Sequence, residues 1–321
     1  FVAMTDPPRE GVEKAIRNCR GAGIRVIMIT GDHAVTGSAI ATRVGLAPPN
    51  RPPEVLEGTE IAGMGDADLT HALRECVVVA RATPEDKLRV VRALQAGGDF
   101  VAVTGDGVND APALRQANLG VAMGRSGTDV AREAAELVIT DDDFSSIVAG
   151  VEEGRVAYQN VRKVTYLLVS TGAGEVLLVL AAVAAGLPVP FTAAQLLWLN
   201  LVTNGIQDVA LAFEPGEPGV LDHPPRPPRE RIFDRVMIER TVLAGLTMAG
   251  LGLACWVWWI GSGVDVPEAR NLLVQLYVLF EVAHIGNARS ESVSVFRLSP
   301  LRNRVLLVGT LSAFAVHLAA L

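Results

Sequence analysis

The sequence predicts a doubly wound α/β domain followed by an α-helical transmembrane bundle. Three observations carry that expectation. Short apolar runs alternate with helix-like segments through the first part of the chain, the pattern of strands fed by crossover helices. Residues 1–155 hold most of the charge, and long apolar blocks separated by short polar loops follow from about residue 164. The 321 residues are 50% hydrophobic and the mean hydropathy is +0.34, too apolar for an ordinary soluble enzyme. The expected divisions are a soluble domain over 1–144, a stalk helix over 145–165 and a membrane part over 166–321.

The elements follow in order. Residues 11–22 read as a helix. Ile24–Ile29 is an almost unbroken apolar run ending in Thr30-Gly31-Asp32, as expected of a parallel strand buried on both faces. His33–Val44 reads as the next helix, closed by Gly45. Residues 47–68, rich in Pro and Gly, read as a surface excursion. Val77–Ala80 is a further strand. Thr83 then caps a helix with Pro84 in its first position and acids in its first turn, running to about Gln95. Val101–Val103 is a strand leading into TGDGVND. A helix over Ala111–Gln116, a strand over Leu119–Met123 and another at Val138-Ile139 complete the domain.

In such sheets chemistry collects at the carboxyl ends of the strands. Here those ends carry Thr30-Gly31-Asp32, the Lys87 segment, and Asp106 to Asp110. Asp106 and Asp110 are hard oxygen ligands of the kind Mg²⁺ prefers, and the cation would neutralise charge on a phosphoryl group. Lys87 would act as a point charge on phosphoryl oxygens, and Thr30 and Gly31 would donate hydrogen bonds to them. Taken alone, DGVND also fits a turn rich in Asp and Asn. Net charge −7 gives no basic face for nucleic acid. Three dispersed cysteines, Cys19, Cys76 and Cys255, form no disulfide framework and suit a reducing compartment.

Apolar blocks lie near 164–187, 193–213, 236–260, 270–287 and 305–321, about five spans of the roughly 20 residues a bilayer needs. Loop charge gives an orientation. Leu187–Phe191 is uncharged and the 261–269 turn acidic, suiting the outside. The 214–240 loop, with Arg226, Arg229, Arg231, Arg235 and Arg240, and the 288–304 loop, with Arg289, Arg297, Arg302 and Arg304, suit the cytoplasm. The soluble domain then faces the cytoplasm. The competing reading is a set of buried helices in one large soluble core.

Acids inside the apolar blocks need a role or a partner. Glu175 sits in TGAGEVLL and Glu281 in LYVLFEVAH. Asn200, Asn204 and Asp208 recur at four-residue spacing, so they share a helix side, with Thr203 and Gln207 adjoining it. Gly205 would allow a local break that frees backbone carbonyls. Together these make an oxygen-rich cage for a hard cation. The alternative is polar contacts between helices or near their ends, which for His284 is sufficient.

The blocks DPPR from Asp6, IMITGD from Ile27, ATPEDK from Ala82, TGDGVNDAPAL from Thr104, GRSGTDVA from Gly124 and DDDFSSI from Asp141 resemble, in order and length, the phosphorylation domain of P-type ATPases, a haloacid-dehalogenase-like fold. Glu175-Val176, Pro188, QLLWLNLVTNG from Gln195 and Glu214-Pro215 resemble the fifth and sixth transmembrane helices of the calcium-pump and sodium–potassium-pump branch. The resemblance covers essentially the whole chain. It implies ATP as substrate, Mg²⁺ as cofactor, and transport through an aspartyl phosphate. It places Asp106 at Mg²⁺, Asn109 and Asp110 around the phosphate and its water, Lys87 on the phosphoryl group, Thr30 and Gly31 on phosphate oxygens, Asp32 in support of that loop, and Asp6 and Arg9 near the nucleotide and hinge. It matches Glu175, Asn200, Thr203 and Glu281 to cation-binding positions. Asn204 falls where calcium pumps commonly have an aspartate, and Asp208 would supply that charge one turn later.

The family's DKTGT stretch, which holds the phosphorylated aspartate, does not occur in this sequence. Nor is there room for the actuator or nucleotide-binding domains. The chain opens at Phe1 and stops inside an apolar run, so the expectation is a C-terminal portion, inactive by itself as an ATPase, with a tenth helix implied beyond residue 321. The expected setting is a multi-pass protein, most naturally of the plasma membrane, with residues 1–165 cytoplasmic. Ca²⁺ is the first expectation for cargo, with Mg²⁺, Na⁺, K⁺ and H⁺ open. A membrane-anchored phosphatase-like or regulatory domain that transports nothing is the competing reading.

Overall fold

The computed structural model describes residues 7–47, 51–227, 230–291 and 293–320. They form two compact units. One holds the chain up to Glu152 and the segment that begins at Gly219; the other begins at Glu153 and holds the remaining helices. Asp6 lies outside the described residues.

The first unit alternates strand and helix: α1 (Val12–Gly21), β1 (Met28–Ile29), α2 (Ala34–Arg43), β2 (Val55–Glu57), α3 (Gly58–Gly63), α4 (Asp66–Ala72), β3 (Val78–Ala80), α5 (Pro84–Ala96), β4 (Ala102–Gly105), α6 (Ala111–Gln116), β5 (Leu119–Met123), α7 (Asp129–Ala134) and β6 (Leu137–Ile139). All strand pairs are parallel. They form two three-stranded sheets, ordered β1-β3-β2 and β4-β5-β6. Val78, Val79 and Ala80 are each 0% exposed, as an unbroken apolar run in a central parallel strand should be.

Two expectations are corrected. The strand read over Ile24–Ile29 pairs only at Met28 and Ile29, both half-buried. Among the described residues it is an edge strand of its sheet. The segment read as a surface excursion over 47–68 instead contributes β2 to the sheet, and α3 starts directly after it, the Glu60 carboxylate accepting the Glu57 N–H at 2.8 Å. Ile61, at 0% exposed, anchors that helix in the core with Leu69 and Leu73. The Pro-rich approach hides a strand of only three residues.

The second unit is helical. After the first unit's last strand, α8 runs unbroken over Phe144–Ala184, joining the segment read as a stalk to the first apolar block. Next come α9 (Ala193–Trp198), a π-helical turn (Leu199–Asn204) and α10 (Gly205–Leu211). The last three are α11 (Arg235–Gly261), α12 (Val266–Ala288) and α13 (Arg304–Ala320). Each of the five apolar blocks is thus helical. Among the described residues, α8 and α11 are the helices both long and apolar enough to cross a membrane unaided.

The apolar packing of this unit comes in two clusters. One gathers Leu178, Leu199, Trp256, Leu273 and Tyr277. The other gathers Leu167, Leu211, Met237, Ile285 and Leu306. Read along α8, α10 and α12, they lie on opposite sides of the polar residues at 170–175, 200–208 and 281–284. The loop between α10 and α11 passes back into the first unit, where Leu221 packs with Ala15, Cys19 and Val148.

Candidate functional sites

In the first unit the strand-end motifs are held by their own backbones. The Thr30 carbonyl accepts the Ala82 N–H (3.0 Å) and the Asp32 carbonyl accepts the Arg81 N–H (2.9 Å). The Thr30 hydroxyl accepts the Asp32 N–H (3.1 Å) and donates to the Asp32 carboxylate (3.2 Å). Asp32 thereby closes the Thr30–Gly31 turn and leaves Gly31 exposed. The same Arg81–Ala82 backbone leads into α5. Thr83 caps that helix, its hydroxyl accepting the Asp86 N–H while the Asp86 carboxylate accepts the Thr83 N–H. Lys87 follows one turn later.

Lys87 Nζ donates to Asp110 Oδ1 at 2.6 Å, with both side chains mostly buried. The other oxygen, Asp110 Oδ2, accepts the backbone N–H groups of Gly107 (3.1 Å) and Asp106 (3.3 Å). This approach depends on Gly105: a Cβ there would sit 2.5 Å from Asp110 Cβ. Asp110 is therefore fully engaged, while the Asp106 side chain stands exposed at the strand exit. Asn109, in a 3₁₀ turn over Val108–Asp110, is also exposed. An exposed carboxylate beside a second one, with an ammonium group adjoining, is a donor set that fits Mg²⁺ and a phosphoryl group together.

A second layer was not assigned from sequence. Asp106 O accepts the Thr128 N–H at 2.8 Å, which ties the GRSGTDVA loop to the site. That loop is held in turn by Asp142, 7% exposed, whose oxygens accept the Arg125 N–H (2.9 Å) and the Ser126 N–H (2.7 Å). The Arg125 amide is the chief reason the Asp142 carboxyl is pulled down to about 2. Asp142 has φ +58°, a left-handed backbone that Asp tolerates better than most residues. Arg9 donates to the Asp142 carbonyl, so Arg9 braces this loop. The acid run Asp141-Asp142-Asp143 was the available signal, although nothing in it singles out the middle residue.

In the second unit, Asn200 Nδ2 donates to Glu175 Oε2 (2.9 Å) and to the Leu196 carbonyl (3.0 Å). Asn204 Nδ2 donates to Thr171 Oγ1 at 3.2 Å. The Thr203 hydroxyl gives its single proton to the Leu199 carbonyl at 2.5 Å, so it has none for Glu281. The break expected near Gly205 is present as the π turn over Leu199–Asn204, which ends where α10 begins. Such turns change the carbonyl pairing of a helix and occur often at functional sites. The Asn200 carbonyl lies 3.6 Å from where a Gly205 Cβ would be.

Several buried atoms here have no hydrogen-bond partner among the described residues: Glu175 Oε1, both oxygens of Glu281, Asn204 Oδ1, Asp208 Oδ1 and both amide atoms of Gln207. Glu281 is 1% exposed, and Asn204 and Gln207 are 0% exposed. Among the described residues no three His, Cys, Asp or Glu side chains converge as a metal cluster, so any cation held here takes amide, hydroxyl or carbonyl oxygens as well. His284, by contrast, has a partner, Ser170 Oγ at 2.7 Å from Nε2.

Several charged groups toward the 214–240 loop are paired. Arg162 bonds Asp234 (2.6 Å) and Glu291 (2.8 Å). Arg289 bonds Glu214 at 3.0 Å, and Asn303 donates to Glu214 at 3.0 Å. Two arginine-rich loops read as topological signals thus also hold the helix ends together.

Comparison with known proteins agrees with both units. A family model described as "Cation transporting ATPase, C-terminus" matches residues 188–321. Two models described as "haloacid dehalogenase-like hydrolase" match residues 1–118 and 88–150. The chain is 44% identical over 309 residues to a "Probable cation-transporting ATPase F" of Mycobacterium tuberculosis, covering 96% of this chain and 34% of that protein. It is 39% identical over 320 residues to a "Calcium-transporting ATPase" of Bacillus subtilis, covering 99% and 36%. It is 39% identical over 321 residues to a "Cation-transporting ATPase pma1" of Synechocystis, covering 98% and 35%. The chain spans about a third of the length of these curated relatives.

Proposed function

The chain belongs to the P-type cation-transporting ATPases, as a C-terminal portion carrying the haloacid-dehalogenase-like domain and membrane helices, and from that premise we propose that the whole protein moves a cation across a membrane at the expense of ATP. Ca²⁺ is the leading cargo. The B. subtilis relative is described as calcium-transporting, and the buried oxygens suit a hard cation. The observation that carries the reading is the layer of buried oxygens without a partner among the described residues at Glu175, Asn204, Asp208 and Glu281, the first of them on α8, which is long and apolar enough to cross a bilayer. A phosphatase-like domain with a plain anchor has no use for such a layer.

In the phosphoryl reaction, Lys87 neutralises charge on the transferred group. Thr30 and Gly31 offer hydrogen bonds to its oxygens, with Asp32 fixing their turn. Asp106, supported by Asp110, would hold Mg²⁺, which supplies electrostatic stabilisation of the developing phosphoryl charge when bound. Asn109 and Asp110 orient the phosphate and the attacking water. The acceptor aspartate, the nucleotide-binding part and the actuator come from the rest of the pump, so residues 1–321 alone have no ATP turnover. Arg9 acts indirectly through the Asp142 loop, and Asp6 is assigned beside the nucleotide. In the membrane, Glu175, Asn200, Thr203, Asn204 and Glu281 take the cation, with Asp208 replacing the charge that Asn204 lacks. The protein is multi-pass, with residues 1–165 cytoplasmic and the plasma membrane its site. The return of the Gly219 segment to the α/β unit supports a cytoplasmic 214–240 loop.

The test is acid-stable phosphorylation of the full-length pump from ATP, across Ca²⁺, Mg²⁺, Mn²⁺, Na⁺ and K⁺. One ion should switch phosphorylation on, and Glu175→Gln should remove its effect. Absence of a phosphoenzyme with every ion would leave the non-transporting reading.

A further inference from the structure

Between α8, α11 and α12, on the side of the 214–240 loop, the helical unit has a cavity of about 190 Å³ whose wall includes Arg162, Lys163, Tyr166, Asp234, Arg240 and Glu291. Its charges are not matched pair by pair. Arg162 carries two carboxylates, Asp234 at 2.6 Å and Glu291 at 2.8 Å. Glu291 places both oxygens on that one guanidinium, and its side chain is still 41% exposed. A carboxylate accepts about four hydrogen bonds, so Glu291 keeps lone pairs for a second cation. Arg240 is the converse. Its Nη2 donates to the Asn287 carbonyl (2.7 Å) and the Ser290 carbonyl (3.4 Å), and its guanidinium lies 4.7 Å from the centre of the Tyr166 ring. These partners orient the planar fork without neutralising its charge. Ser290 directly precedes Glu291. A guanidinium able to take an anion and a carboxylate able to take a cation thus stand close together on one wall.

The cavity also reaches the outer surface of α11. Val236 lines it and is 60% exposed. At about 100° per residue, Val236, Arg240 and Leu243 fall within about 60° of one another around the helix, and Leu243 is 69% exposed. An apolar strip therefore leads from the cavity along a helix long and apolar enough to cross a membrane. Resting on the membrane placement given under the proposed function, we propose that this cavity binds a phosphoethanolamine headgroup, a phosphate ester that carries a primary ammonium. Arg240 takes the phosphate oxygens, Glu291 takes the ammonium, and the acyl chains follow Val236 and Leu243. Basic pockets between membrane helices on the cytoplasmic side suit lipid headgroups. The carboxylate in this one selects a zwitterion over a purely anionic lipid. Free phosphoethanolamine has the same chemistry, so the test separates the two sources.

The test is native mass spectrometry of the delipidated full-length pump in detergent, titrated with phosphatidylethanolamine, phosphatidylcholine and phosphatidylglycerol, and separately with free phosphoethanolamine. The wild type should hold phosphatidylethanolamine the most tightly, because the choline headgroup has no N–H to donate and the glycerol headgroup has no cation. Arg240→Gln should weaken all three lipids by about fivefold, the scale of one basic side chain at a membrane surface. Arg240→Lys keeps the charge and should retain most of the binding, which guards against a variant that merely misfolds. Glu291→Gln should weaken phosphatidylethanolamine alone and so erase the preference. Free phosphoethanolamine binding as tightly as the lipid would keep the site and assign it a soluble ligand. Equal retention of the three lipids by the wild type and both neutral variants would overturn the proposal. If the pump then still formed its cation-activated phosphoenzyme, the transport reading would stand. A headgroup preference without any phosphoenzyme would instead keep this site and overturn the transport reading.

Discussion

Asp110 has Lys87 at 2.6 Å on one oxygen and backbone amides on the other, whereas Glu281, more deeply buried, has neither oxygen bonded to any described residue. The two units of the same chain treat carboxylates in opposite ways. The helical unit is able to pair buried charge, as Arg289 with Glu214 and Arg162 with Asp234 and Glu291 demonstrate. It does so beside the 214–240 and 288–304 loops and not in the polar layer around Glu281. The difference teaches that the proposed phosphoryl site has its groups already oriented by hydrogen bonds within the chain. The membrane layer holds several buried oxygens without a partner among the described residues, and on the proposed transport reading a cation that bonds them would relieve that cost.

The largest effect should come from breaking the assembled site. Lys87→Met removes the ammonium and leaves Asp110 with amide partners only. Phosphoenzyme formation by the full-length pump should fall by about 10²–10³-fold, the scale of losing one preorganised donor. The apparent affinity for the activating cation should hardly move, because the membrane layer is untouched. A change in cation affinity as large as the loss of phosphoenzyme would dissolve the distinction between the two sites.

A smaller effect, of opposite sign, is expected at Glu281. Glu281→Leu removes two buried oxygens that have no partner, so the cation-free protein should gain about 1–3 kcal/mol in stability. The full-length variant in detergent should melt at a higher temperature than the wild type without cation. Added cation should then raise the wild-type midpoint by linkage and leave the variant's unchanged. A lower midpoint for the variant without cation would show that Glu281 is already satisfied, and the contrast with Asp110 would fail.

Much of this was legible in the sequence, for reasons that differ by region. Val78–Ala80 is fully buried because its run is unbroken, and the Thr83 cap follows from a hydroxyl three residues before an acid. β2 escaped notice because three residues behind two prolines carry too little pattern. Ile24–Ile29 misled because apolarity does not reveal which residues find a partner: only the Met28 and Thr30 amides, bonded to Val77 and Val79, reach β3. In the membrane part, four-residue spacing gave the shared side of Asn200, Asn204 and Asp208. It could not give the partners Glu175 and Thr171, which depend on how α8 packs. Gln207 looked like a neighbour, since an amide in a helix is ordinarily satisfied; only its complete burial without a partner sets it apart. Asp142 was hidden among three consecutive acids, because its left-handed backbone has no sequence mark.

The smallest effect tests the ordinary side of the comparison. The Arg125 amide is the main cause of the Asp142 carboxyl standing at about 2, below the usual value of about 3.9. Protons therefore bind the unfolded chain first as pH falls. The carboxylate's contribution to the fold is complete above about pH 4 and is lost as pH drops toward about 2. Protection of the Arg125 and Ser126 amides from hydrogen exchange, corrected for intrinsic rate in the full-length protein, should decline across that window. Asp142→Asn should begin with less protection and show no decline. A flat wild-type profile would mean that the GRSGTDVA loop is held by Arg9 and the Thr128–Asp106 bond alone. The phosphoryl site would then rest on backbone contacts, with Asp142 a bystander.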